Sequence, residues 1–312
     1  MPVMDGSKSA RAQTLPQSNL RGALWVLLSA LAFSVSMALV KFMGEGYPPP
    51  MQVFIRQLIG LLVLVPFILR DPVQAFATNR LGLFVVRAIA TSLSMMLAFA
   101  SYQQLPLAEA NALSFTRTLW MVPLAILMLG ERVGMLRFLA TLAGFGGVLL
   151  VIQPKGSEGV ALLPALYGLA AAMLLAFSVT GIKALSRSHG QLQLLSWAGV
   201  FGVLFALPAA IPVWRLPSVH DGLLLLAMGV TGAIAQFCYI RGLSMGDATV
   251  LAPVDYSRII MTSLLGLVIF HELPPSTTWL GVAIIVGGAV LITWHSQRYR
   301  ERVADAALDR EI

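Results

Sequence analysis

Charge is what this chain has least of. Only 11% of its 312 residues are charged, against 58% that are hydrophobic, and the mean hydropathy is +0.82. That balance excludes an ordinary soluble domain, whose exterior needs polar residues, and makes lipid the solvent. A single cysteine, Cys238, excludes an intrachain disulfide and says little about redox compartment. There is no G-x-x-x-x-G-K-[ST] loop and no polar segment long enough for an ATPase domain, which excludes movement driven directly by ATP. The four histidines (His189, His220, His271, His295) stand at the ends of apolar runs or between them, and no H-E-x-x-H is present. With no paired carboxylates or nucleophile–base set inside the runs, an intramembrane enzyme, a metal site and a cofactor are not expected. The net charge of +7 and pI near 10 are carried between apolar runs and not on one face, so nucleic acid is not the expected partner.

What is present is a series of apolar runs, each close to the ~20 residues needed to cross a bilayer. After a polar segment, residues 1–19, the spans read as Leu20–Phe42, Met51–Leu69, Leu81–Tyr102, Leu107–Leu129, Gly134–Ile152, Ala161–Leu185, Gln191–Val213, Asp221–Arg241, Asp247–Phe270 and Ser276–His295. A charged tail, residues 296–312, follows. Ala30-Leu31-Ala32 looks like a signal-peptidase site, but the run continues past it, so the first span is expected to stay uncleaved. With the N-terminus inside, three of the 21 basic residues fall in outer loops (Lys41, Lys155, Arg215) and four within spans (Arg56, Arg87, Arg117, Arg258), leaving 21 − 3 − 4 = 14 on the inner side. This asymmetry predicts both termini in the cytoplasm.

The sequence also says one thing twice. YQQLPLAEANAL (Tyr102–Leu113), LGE (Leu129–Glu131) and GFGGVLLVI (Gly144–Ile152) answer to YIRGLSMGDATVL (Tyr239–Leu251), FHE (Phe270–Glu272) and VGGAVLIT (Val286–Thr293). Leu105, Glu109, Ala110 and Leu113 fall on Leu243, Asp247, Ala248 and Leu251 at an offset of 138. Glu131, Gly146 and Gly147 fall on Glu272, Gly287 and Gly288 at 141. LAFSVS (Leu31–Ser36), followed by Lys41, is echoed by LAFSVT (Leu175–Thr180), followed by Lys183. Five spans per copy is an odd number, so the copies run oppositely through the membrane. The expected architecture is all-α and polytopic: ten helices as two inverted repeats, residues 20–152 and 161–295, around a central cavity. Inverted repeats are the usual construction of secondary transporters.

These residues, Leu105–Asn111, then Pro123, Gly130-Glu131 and the run Gly144–Gly147, resemble the EamA domain of the drug/metabolite transporter superfamily, and the resemblance covers roughly residues 20–295. The second copy departs by carrying His271 where glycine is usual. The resemblance implies a ten-helix carrier in a bacterial inner membrane, moving amino acids and other small metabolites, mostly outward.

Ionisable groups inside spans are functional candidates because lipid makes them costly. Arg117, Asp255 and Arg258 lie near the middle of the fourth and ninth spans. At the offset of 138, Arg117 falls on Asp255, and Asp255 and Arg258 share a helix face. Two positive charges facing one negative predict either a structural ion cluster or a site completed by a carboxylate, with Asp255 free to receive an amine or a proton. Asn111, Ser114, Trp120, Gln236, Tyr239 and Tyr256, with Ser34, Ser36 and Ser178 on the first helix of each copy, are expected to line that cavity. Each taken singly is also explained by packing or by bonding to backbone. Arg56 and Arg87 lie near span ends and are expected to snorkel outward. Lys41 and Lys183 read as interfacial anchors, Glu131 and Glu272 as caps of the helices that follow them, and Pro123 and Pro253 as bends. The glycines of the fifth and tenth spans suit close packing within the chain, a homodimer contact being the alternative.

Overall fold

The computed structural model describes residues 19–129, 135–152, 162–185, 188–245, 251 and 254–308. Glu131, Asp247 and Pro253 lie outside these, as does the side chain of Lys183. The described residues form helices joined by short links: α1 (Asn19–Met43), α2 (Pro49–Ile68), α3 (Pro72–Phe76), α4 (Leu81–Gln104), α5 (Leu107–Phe115), α6 (Arg117–Leu129), α7 (Met135–Ile152), α8 (Leu162–Leu185), α9 (Gln191–Ala210), α10 (Val219–Met245), α11 (Ser257–Phe270) and α12 (Ser276–Leu308). Six of them, α1, α2, α4, α8, α9 and α10, are long and apolar enough to cross a membrane alone, and α7, α11 and α12 carry shorter apolar stretches. The chain is an all-α polytopic membrane protein.

Two features differ from the expected spans. The fourth is not one helix: it breaks at Thr116 into α5 and α6, whereas α6 runs unbroken through Pro123. The tenth does not stop at His295. Its helix continues to Leu308, because nothing between residues 296 and 308 breaks a helix.

The inverted repeat is visible in which helices touch. α1 packs along α10, and α4 along α8; α2 pairs with α9, and α7 with α12. Mapping α1, α2, α4 and α7 onto α8, α9, α10 and α12 turns the first contact into the second and each of the other two into itself, as a twofold relation requires. The lesser contacts obey the same rule: α1 on α11 answers to α8 on α6.

Lipid tails are as apolar as leucine, so these helices associate by close packing at small residues rather than by hydrophobic expulsion. At the α7–α12 crossing, a Cβ on Gly281 would lie 2.6 Å from the Gly147 carbonyl oxygen, and one on Gly147 2.9 Å from that of Gly281. Gly288 is equally close to the Ala140 carbonyl. The alternate glycines Gly146 and Gly287 face open space. One face of each glycine-rich span thus packs on the other inside the chain.

An ionic latch ties the copies together at the end of the bundle where α1 stops. Lys41 Nζ pairs with Glu272 Oε1 and donates to the Leu105 carbonyl at 2.5 Å. Glu272 Oε2 accepts from the Leu107 N–H at 3.0 Å. Glu272 therefore caps α5, in the other copy, and not the helix that follows it. Lys41 is held in an ion pair and does not reach for the interface. Pro106 explains why α5 needs this acceptor: it interrupts the chain after α4, leaving the first N–H groups of α5 without helical partners. His271 sets the direction of Glu272. It is the one non-glycine residue with positive φ among the described residues (φ 55, ψ 33), and its N–H returns to the end of α11. A left-handed residue at this place usually is glycine. Nearby, Tyr47 Oη donates to Asp221 Oδ2 at 2.8 Å. That hydrogen bond, reinforced by burial and by the carboxylate charge, raises the tyrosine above its ordinary value.

Two predictions concern apparent melting temperature in detergent. Gly281→Val, which forces α12 off α7, should cost about 1–3 kcal/mol and lower the melting temperature, while Gly287→Ala should change it by about 0.5 kcal/mol or less. At the latch, His271→Val should destabilise the protein, because a β-branched residue tolerates left-handed backbone worst, and His271→Gly should match or exceed the wild type.

Candidate functional site

The site grows from the helix break. At the end of α5, both the N–H and the hydroxyl of Thr116 close on the Leu113 carbonyl, at 3.1 and 2.6 Å, so the last turn tightens and the helix restarts at Arg117. The second copy also breaks, at Tyr256, and α11 starts at Ser257. The two breaks face each other: the rings of Phe115 and Tyr256 stand 4.8 Å apart. The break residues Thr116 and Tyr256, and the helix starts Arg117 and Ser257, stand 140 residues apart. Arg117 therefore opens the helix after its break, whereas Asp255 precedes the break of the second copy.

Arg258 is held between two aromatic rings. Its guanidinium carbon lies 4.3 Å from the centre of the Phe33 ring and 4.4 Å from that of Phe115, sandwiched between α1 and α5. Nη2 donates to Ser114 Oγ at 3.4 Å, and Nε is buried with no hydrogen-bond partner among the described residues. Ser114 Oγ donates to the Asn111 carbonyl at 2.7 Å. Asn111 Nδ2 donates to Thr262 Oγ1 at 3.0 Å, one turn beyond Arg258, so this buried pair staples α5 to α11 across the copies. Asp255, Arg117, Tyr239 and Tyr256 stand within electrostatic reach of one another, with Arg117 against the Tyr239 hydroxyl. Among the described residues, the ion pair within 4.0 Å is that of Lys41 with Glu272, and Asp255 makes none with Arg117 or Arg258.

Beside the breaks lies a cavity of about 120 Å³ between α1, α2, α4 and α8. A water needs roughly 10–15 Å³ on this scale, so the space suits a small molecule. Phe33, Phe99 and Tyr102 give it aromatic walls, and Ser36, Ser94 and Arg56 its polar groups. A smaller space of about 30 Å³ shares Ser94 and Tyr102 with it and extends to Ser114. Arg56 Nη1 donates to Ser36 Oγ at 3.1 Å, and its guanidinium carbon is 5.8 Å from the centre of the Phe99 ring.

The structure brings some expected residues together and separates others. Arg258, Ser114, Asn111 and Tyr256 meet at the facing breaks, with Arg117, Asp255 and Tyr239 beside them. Ser178 touches the cavity wall through the Thr91 hydroxyl at 2.6 Å. Ser34 does not line the cavity. It is buried, and its hydroxyl donates to its own helix at the Ala30 carbonyl, 2.7 Å away. Trp120 packs edge-on against Phe145 of α7, with ring centres 4.8 Å apart, so it belongs to the α6–α7 contact. Gln236 is exposed on α10 and faces away from the centre. Arg56 does not snorkel but turns into the cavity. Arg87 is buried against Gly181 of α8, with only 8% exposure. Sequence reasoning missed Arg56, Phe33, Ser94 and Tyr102 as site residues, along with Glu109, a buried carboxylate at the start of α5 that receives the Thr278 hydroxyl. The signal for Arg56 was its charge inside a span; what was lacking was the direction it points.

The family model described as EamA-like transporter family matches residues 20–153 and again 162–294. A riboflavin transporter of Vibrio cholerae is 29% identical, over 90% of this chain and 96% of its own length. An S-adenosylmethionine uptake transporter of Rickettsia prowazekii is 25% identical over 89% and 94%. A pseudopaline exporter of Pseudomonas aeruginosa is 26% identical over 87% and 95%. One solved structure superposes with a TM-score of 0.58 at 21% identity, covering 90% of this chain and 96% of the other, which supports the fold.

The Asn111–Thr262 staple is open to a double-mutant cycle. Thr262→Val leaves a buried amide without its acceptor and should cost about 1–3 kcal/mol in unfolding experiments. Adding Asn111→Leu should cost less than the sum of the two single changes, because the orphaned group is then gone.

Proposed function

Because the chain belongs to the EamA-like transporter family, we propose that it is a secondary carrier whose two copies rock around the facing helix breaks. Its cargo is a small zwitterion or organic anion, amino acids being the simplest case. It is a small-metabolite transporter in a membrane and not an enzyme; the residues that bind cargo, the direction and the cargo itself are the substance of the proposal. One observation carries it: Arg258 and Arg117 stand within electrostatic reach of the carboxylate of Asp255, which forms no ion pair within 4.0 Å with either. An arginine left in low dielectric is costly unless something neutralises it. A cargo carboxylate matches the guanidinium fork and supplies that charge intermittently. In this reading Arg117, Arg258, Ser114 and Asn111 hold the acidic group, with Tyr239 and Tyr256 beside it, and Asp255 takes the cargo amine or a proton.

The membrane is the bacterial inner membrane with both chain ends inside, on the strength of the loop charges. The named relatives include an uptake transporter and an exporter, so this chain is read as a reversible carrier whose net direction follows the gradients imposed on it. The latch at Lys41 and Glu272 then lies at the outer end.

Counterflow in proteoliposomes tests this. Vesicles preloaded with a mixture of amino acids and organic acids should take up labelled members of the same mixture, and uptake should saturate. Arg117→Ala protein that elutes as wild type should lose at least about tenfold in rate, the scale of one lost charge-assisted contact. Wild-type speed from Arg117→Ala would sink the proposal, and uptake that never saturates would point to a channel. A rate independent of pH would remove the proton from Asp255's role.

A further inference from the structure

We propose that Arg56 is the anion anchor of the cavity, and that the cargo which fits there is an aromatic molecule bearing a carboxylate. This rests on the reading of that cavity as part of the transport path and adds the chemical class it accepts. Ser36 Oγ donates to the Met228 carbonyl at 3.1 Å, and Ser94 Oγ to that of Ala171 at 2.7 Å. Thr91 Oγ1 is likewise committed, to the Arg87 carbonyl at 2.9 Å. These hydroxyl protons are spent on backbone. The Arg56 guanidinium has five N–H groups, and Ser36 receives one. Its remaining donors belong to a group that lines the cavity.

Charge points the same way. No aspartate or glutamate is among the residues lining the cavity, and none forms an ion pair with Arg56 among the described residues. The fold nevertheless makes room for this side chain. Gly232 of α10 lies against it, and a Cβ there would come within 2.4 Å of Nη1. A helix that gives up a side chain to seat a guanidinium, and a serine that orients it, hold a positive charge in place over a void. The walls supply the other half of the specificity. Phe33, Phe99 and Tyr102 offer ring faces and edges to a flat apolar group, while the anion sits on Arg56.

The test uses the purified full-length protein and three probes. Indole-3-acetate carries a ring and a carboxylate, tryptamine the same ring with an amine, and acetate the carboxylate alone. Indole-3-acetate should raise the melting temperature of the wild type in a saturable way, and tryptamine and acetate should not. Arg56→Gln should weaken indole-3-acetate by at least about tenfold, with Arg56→Lys retaining part of the affinity. Gly232→Ala, which keeps the charge and displaces the guanidinium, should weaken it as well. Failure of indole-3-acetate to bind the wild type overturns the inference, as does equal binding by tryptamine or unchanged affinity in folded Arg56→Gln. Counterflow with labelled indole-3-acetate separates the two readings. Binding without exchange leaves the assignment of Arg56 standing and removes the cavity from the transport path. Exchange of other cargo without indole-3-acetate binding does the reverse.

Discussion

A broken helix inside a bilayer leaves backbone groups with neither water nor a helical partner, and lipid offers none. Such a break persists only where it is buried in protein or lines a polar space. The rest of this structure follows from that constraint applied twice. The breaks at Thr116 and Tyr256 lie against each other, Phe115 on Tyr256, so each copy covers the other's irregular backbone. Thr116 closes part of its own gap with its hydroxyl on the Leu113 carbonyl. Neither copy could hold its break in lipid alone, which gives the duplication a physical reason: the inverted partner is the environment that the broken helix requires.

The charges are distributed in two different ways. At the end of the bundle Lys41 and Glu272 neutralise each other, and each also meets the backbone at the α4–α5 junction, through Leu105 and Leu107. That is a satisfied ionic contact, and it ties α1 and α5 of one copy to the end of α11 in the other. In the interior the guanidiniums are treated otherwise. Arg258 is flanked by rings and Arg56 rests on a serine and a cavity. Rings attract a cation but do not neutralise it. Among the described residues these interior guanidiniums have no ion-pair partner within 4.0 Å, whereas the latch is neutralised within the chain.

Much of this was legible in the residues. The apolar runs, their number, the half-length repeat and its inversion follow from hydropathy and from the paired motifs Leu105–Leu113 and Leu243–Leu251. The glycines of the fifth and tenth spans pointed to close packing, because glycine lets helix backbones approach in lipid, but not to each other as partners. His271 was legible as a departure from glycine, and the structure supplies the meaning: the position is left-handed and aims Glu272. The site was less legible. Ser34 and Ser36 look alike in sequence, yet one bonds its own helix and the other orients Arg56. Gln236 and Trp120 had the right chemistry and the wrong direction. The offset of 138 put Arg117 on Asp255, whereas Arg117 follows its helix break and Asp255 precedes its own, because similarity alone could not place the breaks.

The sequence by itself determined the solvent, the helical architecture and the twofold plan, since these depend on composition and period, which add up along the chain. Only the tertiary structure decided which polar groups face the cavity, which helix Glu272 caps and which arginines lack a carboxylate. Those depend on rotation about a helix axis and on partners more than a hundred residues away, such as Asn111 and Thr262. A shift of one residue turns a side chain by about 100° around a helix, so a small error in register moves a group from cavity to lipid without changing a letter of the sequence.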